Sequence, residues 1–416
     1  MKALLISTSD LKGGAARAAY RLHQGLQKIN VASQMLVQNQ HSDQATVIGM
    51  NRAAGIGQAR SSLRITLDHL PLKQYSKRSD STLSVQWLPD RVKARVDRLN
   101  PDIINLHWVN GGFLQIETIA RFKQPVFWTL HDMWPFTGGC HYDQMCDRYT
   151  ETCGACPQLG SHKQNDLSQR IWKRKAKAWG NTNLTVVALS SWLAKCAKSS
   201  ALFKEKRVEI IPNGLDTNLY RPIERQIARN LLRLPQDRQL VLFGALKATG
   251  DKRKGFHLLQ PALQELAKSG WRDQLELVIF GASQSDSSPE FGLKTHYLDT
   301  LNDDLSLALA YSAADVFVLP SVQENLANTV MEALACGTPC VAFDIGGMPD
   351  MIEHHQNGYL AQPYKIDDLA QGVTWVLENP ERHQKLSDRA REKVDQEFTL
   401  EIQARRYKAL FEGSGL

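Results

Sequence analysis

The residues best suited to chemistry lie in the stretch Pro320-Ser321-Val322-Gln323-Glu324-Asn325-Leu326-Ala327-Asn328-Thr329-Val330-Met331-Glu332, which continues to Gly337 and Pro339. Its pattern predicts a strand ending at Pro320, a loop carrying Glu324, and a helix that opens near Asn328 and stops at Gly337, the residue type that most often closes a helix. The first-turn amides of such a helix lack intrahelical acceptors and carry partial positive charge, which suits a diphosphate. Glu332 falls about one turn inside the helix, ~6 Å along its axis, and Glu324 precedes it. A carboxylate accepts two hydroxyl hydrogen bonds, and charge makes each roughly twice as strong as a neutral one. The expected chemistry is therefore a diphosphate flanked by two acids, one holding a ribose and the other a sugar, with Asn325, Asn328 and Thr329 as further donor-binding groups. A plainer alternative, a helix with a solvated glutamate near each end, leaves this density of features unexplained.

Breaking a bond to a diphosphate leaves negative charge behind, and fixed positive groups beside it supply a large catalytic contribution. The segment Gly244-Ala245-Leu246-Lys247-Ala248-Thr249-Gly250-Asp251-Lys252-Arg253-Lys254-Gly255 offers such cations. Near the N-terminus, Gly13 and Gly14 follow an apolar run and open a helical pattern, so the backbone there can approach a ligand closely. The three-glycine spacing of a dinucleotide fingerprint is absent. His131 and His107 each follow a predicted strand. Four cysteines are spaced Cys140-x5-Cys146-x6-Cys153-x2-Cys156, whereas Cys196, Cys336 and Cys340 sit in apolar surroundings. In a reducing compartment four clustered thiols suggest structural zinc more than disulfides, with reduced thiols or a redox pair as the alternatives.

These groups need a scaffold. At 416 residues, 43% hydrophobic, the chain exceeds what one core usually supports. Apolar runs alternate with helical patterns throughout, which predicts parallel sheets covered by helices. Strands are predicted over 3–7, 34–37, 103–106, 126–130, 184–188 and 209–211, and a second set over 240–243, 275–280, 316–319, 340–343 and 359–360. Helices are predicted from Ala15, Ala19, Leu22, Leu26 and Ile29 at spacings of three and four, and over 256–268, 305–313, 328–336 and 366–377. The expectation is two doubly wound domains, 1–212 and 213–395, with ligands between them beyond the carboxyl ends of the strands. Residues 380–412 read as one long helical pattern, whose end, 396–416, is expected to pack back across the junction.

Charge is uneven: residues 1–200 carry net +13 and the remainder −6. Two basic runs mix cations with apolar residues. One spans Arg52 to Arg78 with Leu63, Ile65 and Leu70, and the other spans Arg170 to Trp179 with Trp172. Either suits an anionic membrane surface, and equally a wet face backed by core. No nucleic-acid-binding module is found, so nucleic acid is not an expected partner. No apolar run approaches the roughly 18 residues needed to span a bilayer. The start, Met1-Lys2-Ala3-Leu4-Leu5-Ile6-Ser7, reads as a first strand rather than a signal sequence.

The Glu324 to Glu332 pair, its continuation Glu332-Ala333-Leu334-Ala335-Cys336-Gly337-Thr338-Pro339, the run Gly346-Gly347-Met348-Pro349-Asp350 and the run Ile211-Pro212-Asn213-Gly214-Leu215-Asp216 together resemble retaining glycosyltransferases of the GT-B fold, family 4. The similarity covers nearly the whole chain. It implies a nucleoside diphosphate sugar on the second domain and a lipid-linked or saccharide acceptor on the first, without a metal or other cofactor for the transfer itself. It also implies that Glu324 and His131 act on the donor sugar, that Gly13 and Gly14 lie beneath the donor phosphate and the acceptor, and that Lys254 matches the family lysine. The family arginine position holds Ala245, so Arg253 or Lys247 is expected to replace it, with Arg253 favoured. His131-Asp132-Met133-Trp134-Pro135-Phe136 further resembles enzymes that build exopolysaccharides of the colanic-acid type. The implied protein is cytoplasmic, peripheral on the inner face of a membrane. A GT-B epimerase and a nucleotide-sugar-binding protein without turnover are the alternatives. No Ser-His-Asp arrangement is evident in the sequence.

Overall fold

The computed structural model of the chain describes residues 1–51, 55–244, 252–284, 289–301 and 303–413. It divides into two compact units, one of Met1–Gly214 with the segment from Leu400, the other of Leu215–Thr399.

The first unit holds a sheet of β1 (Lys2–Ser9), β2 (Ala32–Asn39), β3 (Val47–Asn51), β4 (Ile103–Leu106), β5 (Val126–Leu130), β6 (Leu184–Ala188) and β7 (Arg207–Ile210), in the order β3-β2-β1-β4-β5-β6-β7. All its pairings are parallel. The second holds β8 (Gln239–Gly244), β9 (Leu275–Phe280), β10 (Thr295–Tyr297), β11 (Val316–Leu319), β12 (Cys340–Phe343) and β13 (Gly358–Ala361), ordered β10-β9-β8-β11-β12-β13 and again parallel. Helices on both faces of a parallel sheet bury both sides of its inner strands, which therefore read as unbroken apolar runs. Every residue of β11 and β12 is buried. The edge strands β3 and β10 gave no such signal because their residues are mostly half-buried.

In each sheet the order reverses beside the first strand, at β1 and at β8, and ligands bind beyond the strand ends at such a switch point. The loop after β1 carries Gly13 and Gly14, His107 follows β4, and His131 follows β5. In the second unit the Glu324 loop follows β11.

Two expectations change. The pattern over 380–412 is two helices, Pro380–Glu397 and Leu400–Glu412. The break falls where the Phe398 carbonyl leaves the helix and accepts a hydrogen bond from the Leu215 amide at 2.8 Å. The second helix belongs to the first unit. Tyr407 and Phe411 enter the core that holds Leu5, Phe127 and Val187, and Gly25 admits the Leu400 carbonyl, which a Cβ there would meet at 3.0 Å.

The basic run from Arg170 is a solvated face only in part: Arg170, Lys173 and Lys177 are exposed, but Lys175 is not. In the Leu167–Trp179 helix Lys175 is fully buried, donates to the carbonyls of Trp134 and Thr137, and stands 3.7 Å above the Trp134 ring. Burial lowers its pKa to about 7. Trp179 is buried and donates to the Ile116 carbonyl, and Arg174 pairs with Glu117 at 2.8 Å. Their alternation with lysines disguised groups that hold the loop after β5.

Candidate functional site

In the second unit, β11 delivers the chain to Pro320 and the Glu324 loop, and the Asn328–Ala335 helix starts directly after it. Glu324 is buried, and one oxygen, Oε2, accepts from Lys254 Nζ at 2.8 Å and Arg253 Nη1 at 3.1 Å. Burial would raise this carboxyl, yet the two cations hold it down to about 2. Arg253 also donates to the Gln323 carbonyl at 3.1 Å, and the Val322 amide donates to the Arg253 carbonyl at 2.9 Å, so the cation loop and the acid loop are laced together. The structure thus brings three expected residues to one point. Lys247 and Ala245 lie outside the described residues.

Two glycines set the position of that acid. Gly255 has φ of +73°, and a Cβ there would fall 1.6 Å from the Pro320 carbonyl oxygen. Gly346 has φ of +54°, and its Cβ would fall 1.9 Å from the Glu324 carbonyl oxygen. Both neighbours are backbone, so neither can turn aside. Gly346→Ala is expected to shift the Glu324 loop and to destabilise the unit by ~1–3 kcal/mol, the usual range for overpacking. Denaturant unfolding measures it; an unchanged midpoint would show that the loop does not depend on this contact.

Farther along the helix, Glu332 is buried and accepts from the Tyr311 hydroxyl at 3.1 Å. Tyr311 is itself packed edge-on against Phe280 and Phe317. Asn325 is buried, whereas Asn328 and Thr329 are half-buried at the helix start. The helix has Ala327 at its N-cap and no side-chain cap. Tyr311 and Gly346 act on the acids from distant points in the chain. The only sequence signal was the run Gly346-Gly347, and Tyr311 had none.

In the first unit, Gly13 has φ of +97° and is the N-cap of the Gly14–Lys28 helix. Both glycines line a cavity of about 700 Å³ at the ends of β1, β2 and β3, together with Ser7, Asn39, Gln58 and Trp108. The buried Ser7 Oγ has no hydrogen-bond partner among the described residues. Asp10 shapes the mouth, accepting from the amides of Leu11, His41 and Ser42. Sequence reasoning found the glycines but not the rest of this lining, which comes from residues far apart in the chain. His131 and His107 are hydrogen-bonded to each other at 3.0 Å, with burial holding His131 down to about 4 and His107 well below its usual range.

The loop after β5 corrects two expectations. Among the described residues no group of three or more His, Cys, Asp or Glu could hold a metal ion. Cys140, Cys146, Cys153 and Cys156 therefore do not fit the expected zinc set. Cys140, Cys153 and Cys156 pack into the apolar core of the first unit, where burial raises their thiols, and Cys146 is half-buried. A Ser-His-Asp arrangement does exist: Ser84 Oγ lies 2.9 Å from His141 Nε2, and His141 Nδ1 lies 2.6 Å from Asp132 Oδ2. All three are buried, and Asp132 also accepts from the Trp108 indole and the Trp134 amide. This set braces the loop that follows His131 and presents no reachable nucleophile.

Residues 12–219, half of the chain, match the family described as Glycosyltransferase Family 4, and residues 225–393 match Glycosyl transferases group 1. A D-inositol 3-phosphate glycosyltransferase of Corynebacterium aurimucosum is 30% identical over 315 residues, 71% of this chain and 68% of that protein. The chain belongs to glycosyltransferase family 4. The chain spans less than half the length of several other curated relatives that it matches. Its fold is that of GT-B glycosyltransferase structures. Sucrose-phosphate synthase of Thermosynechococcus elongatus superposes with a TM-score of 0.71 over 100% of both chains at 20% identity. HepE of Anabaena, solved in complex with UDP and glucose, gives 0.64 over 99% of each chain at 16% identity.

Proposed function

We propose that this protein is a retaining glycosyltransferase that moves a sugar from a nucleoside diphosphate sugar to a lipid-linked or saccharide acceptor, in the synthesis of exopolysaccharide or another cell-surface polysaccharide. The observation that carries this reading is the convergence of Lys254 and Arg253 on Glu324 beside the start of the Asn328–Ala335 helix.

The donor is assigned to the second unit. Lys254 and Arg253 take the diphosphate with the first-turn amides, Glu332 takes the ribose, and Glu324 the sugar. Charge develops on the diphosphate as the anomeric C–O bond breaks, and fixed cations stabilise it without reorganising. The freed phosphate oxygen accepts the proton of the acceptor hydroxyl as the new C–O bond forms on the same face, so anomeric configuration is kept without a protein nucleophile. The acceptor is assigned to the cavity lined by Ser7, Asn39 and Trp108 in the first unit, with Gly13 and Gly14 at its edge, and His131 is assigned to a sugar hydroxyl.

Incubation with a panel of nucleotide sugars, with and without a membrane extract, tests the reading. Nucleotide release that requires the extract supports transfer. Interconversion of donors alone would replace it with an epimerase, and no turnover with intact binding would leave a binding protein.

We also infer a cytoplasmic protein that rests on the inner face of a membrane. No helix among the described residues is long and apolar enough to cross one. The Ile56–Asp68 helix exposes Leu63 and Ile65, Leu70 and Trp87 are also exposed, and so are Arg60, Lys73 and Lys77 of the same basic run. Apolar contact plus attraction to anionic lipid scales with such a face. Leu63→Asp is expected to abolish cosedimentation with phosphatidylglycerol vesicles; equal binding by that variant and the parent would refute this placement.

A further inference from the structure

We propose that Asn105 and His107 are positioning residues that lock His131 as the neutral imidazole bearing its proton on Nε2 and its lone pair on Nδ1. The lock is a hydrogen-bond chain running across two strands.

β4 and β5 are parallel neighbours, with Asn105 opposite Phe127 and Leu106 opposite Trp128. Side chains alternate along a strand, so Asn105, His107, Thr129 and His131 share one face. That is the face on which the Leu400–Glu412 helix packs, because the Thr129 hydroxyl lies 2.8 Å from that of Tyr407. Each link settles the next. Asn105 Nδ2 donates to the Phe127 carbonyl at 3.2 Å and to Thr129 Oγ1 at 3.0 Å, using both amide hydrogens and turning Oδ1 toward His107. An amide oxygen only accepts, so His107 Nε2, 2.9 Å away, carries the hydrogen. His107 is buried and neutral, so its Nδ1 has a lone pair. Facing that lone pair at 3.0 Å is His131 Nε2, which must donate. The proton on one ring nitrogen is set by what the other nitrogen faces, and here the setting is passed from Asn105 through two rings.

Where a ligand meets this ring, Nδ1 in the locked tautomer can only accept, and the ring cannot present a second N–H. It therefore suits a sugar hydroxyl and does not suit an anionic phosphate oxygen. That functional consequence rests on the assignment of His131 to the sugar, whereas the tautomer itself does not. Asp132, the charged neighbour of His131, pulls its pKa upward against the larger effect of burial.

The test is a two-bond proton–nitrogen correlation spectrum of the full chain labelled with 15N-histidine, assigned with His107→Gln and His131→Asn. His131 is expected to show a protonated Nε2 and an unprotonated Nδ1 near neutral pH. In Asn105→Asp the carboxylate should draw a second proton onto His107, whose Nδ1 then donates, so His131 switches to the Nδ1–H form. A parent spectrum showing Nδ1–H or rapid averaging at His131 overturns the proposal even if the variant does not fold. A folded Asn105→Asp protein with the parent tautomer overturns it as well. A correct tautomer in a protein that transfers no sugar would sink the assigned function and leave the lock standing.

Discussion

Glu324→Gln is expected to remove turnover, with kcat reduced by at least ~10²–10³-fold, the loss seen when one charge-stabilising contact leaves a transition state. Glutamine keeps the size of the side chain and one accepting oxygen, so the loop between Gly255 and Gly346 is not disturbed. What goes is the negative charge that holds Lys254 and Arg253 together. The carboxyl, held down to about 2, is ionised at any working pH, so the parent enzyme is charged here throughout. Steady-state kinetics with a circular-dichroism melt on the same preparation checks both halves. Full activity in a folded Glu324→Gln protein would discredit the assignment of this acid.

Lys254→Ala is the second large effect. Its ammonium is 2.8 Å from Glu324 Oε2 and only partly exposed, where a fixed charge acts strongly on a neighbouring diphosphate. The expected loss in kcat/KM is ~10²–10³-fold, or about 3–4 kcal/mol of transition-state stabilisation. Arg253→Ala should also be severe, and the two losses should fall short of adding, because both cations share one carboxylate oxygen. Melting temperature must be followed alongside, since removing one partner of a buried charge also destabilises the fold. Additive losses in the double variant would show that the two cations act at separate places.

Most of the scaffold could be read from the chain because a parallel strand buried on both faces leaves an unmistakable apolar run; β4, β5, β6, β9, β11 and β12 carry that mark. The acids were legible for a related reason: strand, loop and helix follow one another within twenty residues, so their spacing is local. Arg253 was legible only through the charge that a diphosphate requires. The Gly346-Gly347 run was visible but its role was not, since its closure over Glu324 depends on β12 lying beside β11, a fact of sheet order rather than spacing. Lys175 misled because a lysine inside a basic run looks solvated, and only the indoles of Trp134 and Trp179 beneath it show otherwise. The cysteines misled similarly: their spacing suits a metal, while their side chains fill a core.

The measurement that bears most directly on the account is a crystal structure of the chain with the nucleoside diphosphate that raises its melting temperature most, since a ligand held only by the native state stabilises it. The diphosphate is expected within hydrogen-bonding distance of Lys254 Nζ and Arg253 at the first turn of the Asn328–Ala335 helix, with the ribose hydroxyls on Glu332. A nucleotide bound elsewhere, with both cations still closed on Glu324, would contradict it.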